Sequence, residues 1–210
     1  MIQCIIPAAG KGLRFFELGR LYPKCTLPYK HLPLIVHNLN FILSIDSIKL
    51  ITIIVEKGDT QVLRLMKIFF QDHLSNGRIE ILDYSHDKFG VGPASTIIAG
   101  YRSNFDSYLI FLSDIVLVDN LAHELFKNSF LSIKEEAISN RWCVVTGLNS
   151  SMRFHNKENI EGIKFNALSG IYFLKNGKKL KKLIANLVQE IDTNSFKEVE
   201  ISRILDLYIE

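Results

Sequence analysis

The sequence predicts an α/β fold in which a mostly parallel central sheet is covered by helices on both faces. Three observations predict it. Short, continuous apolar runs recur along the chain, as strands buried on both faces tend to read. Segments with helical apolar spacing lie between them. The two kinds alternate in order, the pattern that feeds strands through helical crossovers into one sheet.

The first strand is expected at residues 2–7, where IQCIIP carries no charge. Residues 34–45 follow with apolar side chains on one side, a helix. IKLITIIV at 48–55 repeats the strand pattern. Residues 61–70 place Val62, Met66, Phe69 and Phe70 at helical spacing. Residues 79–82 form a weaker strand. Residues 93–102 open a helix on Pro93, and proline in a first turn gives up only an N–H that has no intrahelical partner. YLIFL at 108–112 is another strong strand, and 142–146 and 162–174 supply later ones. Leu180, Leu183, Ile184, Leu187, Val188 and Ile191 make an amphipathic stripe. The lysines of 175–182 open that helix as a solvated face, and a last helix is expected at 197–208. No repeat, low-complexity tract or linker interrupts the run, so a single domain over 1–210 is expected.

The bulk properties exclude several classes. At 48% apolar and 22% charged residues over 210 positions, the chain can bury a core without staples. A formal charge of +3 suits an anionic small substrate but is not the concentrated basic patch of a nucleic-acid binder. Cys4, Cys25 and Cys143 are odd in number and form no C-x-x-C pair, which speaks against a disulfide framework or a zinc site. The histidines show no metal-ligand spacing, and no serine sits in a G-x-S-x-G elbow. No basic leader precedes the first strand, and no apolar stretch reaches the ~18 residues of a membrane span. A cytoplasmic location is expected, with no membrane or nucleic-acid partner.

The first strand ends in Pro7-Ala8-Ala9-Gly10-Lys11-Gly12-Leu13-Arg14. Small residues and two glycines let a backbone come close to a ligand, and successive N–H groups in a tight loop form an anion-binding concavity. Arg14 adds a planar charged fork suited to phosphate oxygens. Lys24 adds a point charge behind the stiff Pro23. The loop is not a Walker loop, which needs G-x-x-x-x-G-K-[ST]. Nor is it a dinucleotide fingerprint, because Phe15 stands where a third glycine belongs. Taken alone, it fits equally a strand-to-helix turn that needs glycine for geometry.

The wider stretch IIPAAGKGLRFFELGRLYPKCTLPYKHLPLIVHNL resembles the opening of the sugar-phosphate nucleotidylyltransferase family. That opening has an A-A-G-x-G-x-R loop, a P-K pair about ten residues on and an apolar segment entering a helix. Phe15-Phe16-Glu17-Leu18-Gly19, with Tyr22 before Pro23-Lys24, is similar to a bacterial subgroup tied to capsule and surface-glycan precursors. The resemblance continues in order through Gly92-Pro93-Ala94-Ser95-Thr96, Ser113-Asp114 after YLIFL, and Ser169-Gly170-Ile171-Tyr172-Phe173.

The resemblance implies a three-layer α/β/α Rossmann-like nucleotidyltransferase fold. It implies transfer of a nucleotide from a nucleoside triphosphate to a sugar phosphate or other phosphorylated small molecule, with release of pyrophosphate. By the same likeness, Ala8, Ala9, Gly10, Lys11 and Gly12 would cradle the nucleotide. Arg14 would hold the β- and γ-phosphates, Lys24 the α-phosphate, and Gly92 the base. Ser113 would also bind the nucleotide, beside Asp114, and Asp114 would bind Mg2+. Gly170 would border the acceptor, with Lys164 or Lys157 as its cation. The family commonly adds a second metal carboxylate after the late helix. Here the sequence reaches Glu210 at the end of that helix, and Asp192, Glu161 and Glu158 are the alternatives. A cytidylyltransferase for a phosphorylated headgroup and a nucleotide-binding module without turnover are the competing expectations.

Overall fold

A computed structural model describes residues 1–10, 21–85, 92–116, 126–136, 140, 142–147, 151–162, 164–193 and 199–209, with backbone only for 190–193. In chain order the described strands are β1 Ile2–Pro7, β2 Pro28–Tyr29, β3 Leu32–Pro33, β4 Ile48–Glu56, β5 Ile79–Tyr84, β6 Ser107–Phe111, β7 Phe130–Glu136, β8 Cys143–Thr146, β9 Arg153–Asn156 and β10 Phe165–Leu174. The α-helices are α1 Leu34–Leu43, α2 Gln61–Phe69, α3 Gln71–Ser75, α4 Pro93–Gly100, α5 Gly177–Thr193 and α6 Ile201–Ile209.

The uncharged β1 can be enclosed on both edges, and it forms the middle of the sheet. β4 runs parallel along one edge and β6 parallel along the other, with β5 beyond β4. Alternate side chains of a strand point to opposite faces, and each face has its own helices. Cys4, Ile6, Ile51, Ile53 and Val55 are buried with residues of α1 and α2. Ile5, Ile54, Tyr108, Ile110 and Tyr172 are buried with residues of α4, α5 and α6. The expected three layers result. Among the described residues no helix is long and apolar enough to cross a membrane.

One polar side chain is built into this apolar centre. Gln3 is fully buried. Its amide donates to Thr52 Oγ1 at 2.7 Å and to the Gly100 carbonyl at 2.8 Å, and its oxygen accepts the Arg102 N–H at 2.9 Å. The Gly100 and Arg102 groups lie where α4 ends, so Gln3 ties the end of that helix to the central strand. The Thr52 hydroxyl in turn donates to Glu80 Oε1 at 2.8 Å, and Glu80 also pairs with Arg102 at 2.9 Å.

The second half of the sheet is antiparallel, and the apolar runs alone did not indicate this. β10 has two different neighbours on one edge. Its early residues Asn166 and Ala167 pair with β8, which carries β9, while Ile171–Leu174 pair with β6. β7 follows the other edge along both halves. β2 and β3 form a separate short hairpin.

Several expected boundaries move. The helix expected at 61–70 breaks at Phe70, whose φ of −138° and ψ of 31° are not helical, and resumes as α3. The helix expected at 93–102 stops at Gly100, where Tyr101 turns extended. The last helix begins at Ile201, later than expected.

Candidate active site

The carboxyl ends of β1 and β6 adjoin where the chain order reverses, since β4 and β5 lie to one side of β1 and β6 to the other. Ligands of open α/β sheets bind at such a switch point. The Ala8 N–H continues the ladder by donating to the Ile54 carbonyl at 2.7 Å. Ala8 and Ala9 are buried and Gly10 is exposed. The backbone thus leaves the sheet through two small side chains. Lys11, Gly12 and Arg14 lie outside the described residues.

The chain returns to this edge at Pro23. Residues Lys24–Thr26 form one 3-10 turn. The Thr26 N–H and hydroxyl both donate to the Pro23 carbonyl, at 2.9 and 2.8 Å. Cys25 points into the core and is buried. Upstream, the Gln61 side chain donates to the Leu21 carbonyl at 2.9 Å. The turn is therefore held from three sides, and Lys24 projects from a fixed base. Its Nζ lies 3.6 Å from Asp114 Oδ2, with the two side chains 24% and 43% exposed.

Asp114 sits in the turn after β6, beside the buried Ser113. The Leu112 N–H donates to the Gly170 carbonyl at 2.9 Å. Gly170 has φ +107°, and a Cβ there would stand 3.0 Å from the Leu112 side chain. The glycine that the sequence placed beside the acceptor thus also packs under the segment that carries Asp114. Gly92 precedes α4 with φ +111° and ψ 165°, a conformation open to glycine. The first turn of α4 is held by the Val199 carbonyl, which accepts the Ala94 N–H at 3.1 Å.

The proposed acceptor lysines are engaged elsewhere. Lys164 pairs with Glu135 at 2.6 Å on the exposed start of β10. It lies six residues from Gly170, roughly 20 Å at the rise of a strand. Lys157 pairs with Glu200 at 2.6 Å, between the end of β9 and the start of α6.

Of the acids considered for a second metal carboxylate, Glu158 pairs with His155 at 3.2 Å and Glu161 is exposed. The Asp192 side chain lies outside the described residues. Asp59 is the acid that sequence reading missed. It stands in the turn after β4, where its Oδ1 accepts the Gln61 N–H at 2.8 Å. Burial first, and then the charges of Asp59 and Asp114, push the Cys25 thiol up to about 12. The charges of both carboxylates thus reach Cys25 in the lysine turn. Gly58-Asp59 directly after a strong strand was the available signal.

Among the described residues no cluster of three or more ligating side chains could cage a metal. A magnesium ion of phosphoryl transfer does not need one, since it is usually held by one or two carboxylates together with substrate phosphates. The half-exposed Asp114 carboxylate fits that requirement.

No family model and no curated protein sequence matches the chain. Solved structures do. CTP:phosphocholine cytidylyltransferase from Streptococcus pneumoniae is similar with a TM-score of 0.72 at 16% identity, over 99% of this chain and 84% of that chain. A UDP-glucose pyrophosphorylase complexed with UDP-glucose is similar with a TM-score of 0.67 at 19% identity, over 98% and 86%. A nucleoside-diphosphate-sugar pyrophosphorylase from Vibrio cholerae is similar with a TM-score of 0.69 at 18% identity, over 100% and 87%. The chain has the fold of these nucleotidyltransferases.

Proposed function

We propose that this chain is a nucleotidylyltransferase. An acceptor phosphate oxygen attacks the α-phosphorus of a nucleoside triphosphate, the new P–O bond forms, and the α–β bridging P–O bond breaks. Pyrophosphate leaves with the electron pair. The observation that carries the reading is the pairing of Lys24 with Asp114 at the switch point, beside the backbone leaving β1 at Ala8.

Such transfer depends mainly on positioning and on neutralising charge. The loop amides from Ala8 to Gly12 and Arg14 hold the β- and γ-phosphates. Lys24 meets the α-phosphate from its rigid turn. Gly92 gives the base a backbone surface without a Cβ. Asp114 would hold Mg2+, with Ser113 beside it and Asp59 as a further acid to test. When bound, Mg2+ neutralises phosphate charge at the reacting oxygens. Gly170 borders the acceptor, and Lys164 and Lys157 are the cations first to be tested for it.

The sugar-phosphate reading and a role in cytoplasmic supply of surface-glycan precursors are supported by the motif order and the Phe15–Lys24 stretch. A headgroup cytidylyltransferase is the second reading, favoured by the likeness to a phosphocholine cytidylyltransferase. A screen of the four common triphosphates against sugar 1-phosphates and phosphorylated amino alcohols, with pyrophosphate release measured with and without Mg2+, tests both. Triphosphate binding without pyrophosphate release from any pair would mark a binding module instead.

A further inference from the structure

β7 and β10 fall out of step at one place. Leu168 pairs with Ile133 and Tyr172 pairs with Leu131, so Ser169, Gly170 and Ile171 together face the single residue Ser132. Such a bulge takes ladder partners away from the backbone. A buried N–H without a partner costs about 1–3 kcal/mol. Here one side chain fills the gap. The Ile171 N–H donates to Ser132 Oγ at 2.9 Å, and the Ser169 hydroxyl donates to the same oxygen at 2.6 Å.

The bulge lies back to back with the candidate site. The Gly170 carbonyl receives the Leu112 N–H, and the Leu112 side chain stands 3.0 Å from where a Gly170 Cβ would be. Asp114 follows two residues later. The bulge is also where β10 changes neighbour from β8 to β6. No ladder partner on the β7 side fixes Gly170 itself, so its place depends on what holds Ser169 and Ile171.

We propose that Ser132 is a positioning residue for the reaction: its hydroxyl sets the Gly170 bulge, and the bulge sets Leu112 and hence the Asp114 carboxylate. The effect is transmitted through three hydrogen bonds and one close packing contact, and Ser132 itself touches no substrate. The activity part of the test rests on the nucleotidyl-transfer reading, while the exchange part does not.

In the unaltered protein, the Ile171 and Leu112 amides should exchange with deuterium at a common opening free energy. Leu112 remaining protected while Ile171 exchanges would overturn the proposal. Ser132→Ala should lower the protection of both amides at least tenfold beyond its effect on global unfolding. It should lower kcat at least tenfold, with the triphosphate KM within twofold, and weaken Mn2+ binding severalfold. Ser132→Thr keeps the hydroxyl and should restore all three. Wild-type kcat in Ser132→Ala, or a Ser132→Thr variant as impaired as the alanine, overturns the assignment. If no substrate pair releases pyrophosphate, the proposed activity fails, and the exchange result still decides the role of Ser132.

Discussion

Lys24 Nζ and Asp114 Oδ2 lie 3.6 Å apart, so the residues assigned to the α-phosphate and to the metal neutralise each other. Binding a metal–triphosphate complex exchanges one pairing for two: phosphate for the lysine and metal for the aspartate. A metal ion alone must displace the ammonium without that compensation.

Replacing Lys24 with methionine removes the competing cation while keeping a long side chain. We expect Mn2+ to bind severalfold more tightly in the absence of nucleotide, read by electron paramagnetic resonance. Pyrophosphate release should fall by about 10²–10³, the usual cost of losing one preorganised charge-stabilising group. Asp114→Asn should lose both metal binding and release while remaining folded. Equal Mn2+ affinity in Lys24→Met and the unaltered protein would show that the pair does not gate the metal.

At Gly170 the backbone has φ +107° and the Leu112 side chain would crowd a Cβ at 3.0 Å. Gly170→Ala is therefore strained twice. A residue held in so sparsely populated a conformation costs about 1–3 kcal/mol. We expect a lowered urea midpoint with an unchanged slope, accompanied by reduced activity because Leu112 must shift. A midpoint equal to that of the unaltered protein would contradict the contact.

The Gln3 amide should be expensive to remove. Gln3→Leu keeps the volume but leaves the Gly100 carbonyl and the Arg102 N–H without their partner. At about 1–3 kcal/mol for each buried group left unpaired, we expect a loss of roughly 3 kcal/mol in equilibrium urea unfolding. A loss below about 1 kcal/mol would mean that the network is not needed to hold the end of α4.

Burial pushes the thiols of both Cys25 and Cys143 up to about 12. A thiol in the unfolded chain titrates near about 8.5. A folded value above the unfolded one gives stability that is complete below the unfolded value and is lost as pH rises toward the folded one. We expect the urea midpoint to fall between about pH 8.5 and 10.5, and the fall to be shallower in Cys25→Ala. Iodoacetamide should leave Cys25 unmodified at pH 8 in the folded protein. Rapid native labelling of Cys25 would contradict its burial.

The parallel part of the fold was legible because its strands are enclosed on both faces. IQCIIP, IKLITIIV and YLIFL advertise that burial as unbroken apolar runs. β7 and β9 were not anticipated for the converse reason. FLSIKEE and RFHN are half exposed and mix charge with apolar residues, so neither pattern dominates. Lys24 and Asp114 were named from motifs 90 residues apart, and the fold brings them together. Asp59 was missed because an acid after a glycine reads as an ordinary turn residue. Only the course of β4 beside β1 shows that it faces the lysine turn. Lys164 and Lys157 were drawn from a region whose strands pair with distant segments. Their partners, Glu135 and Glu200, are unreadable from local spacing.

The central position of β1 has a consequence for the order of events during synthesis. β1 needs β4 on one edge and β6 on the other, both made after it, and β6 ends at Phe111. Everything from β1 through Phe111 must emerge before IQCIIP has both neighbours. Until then an uncharged, sticky hexapeptide is open to pairing with other nascent chains, the usual hazard of sheets with distant partners. A helper that shields β1 as it emerges should therefore raise soluble yield more than one acting on the finished chain.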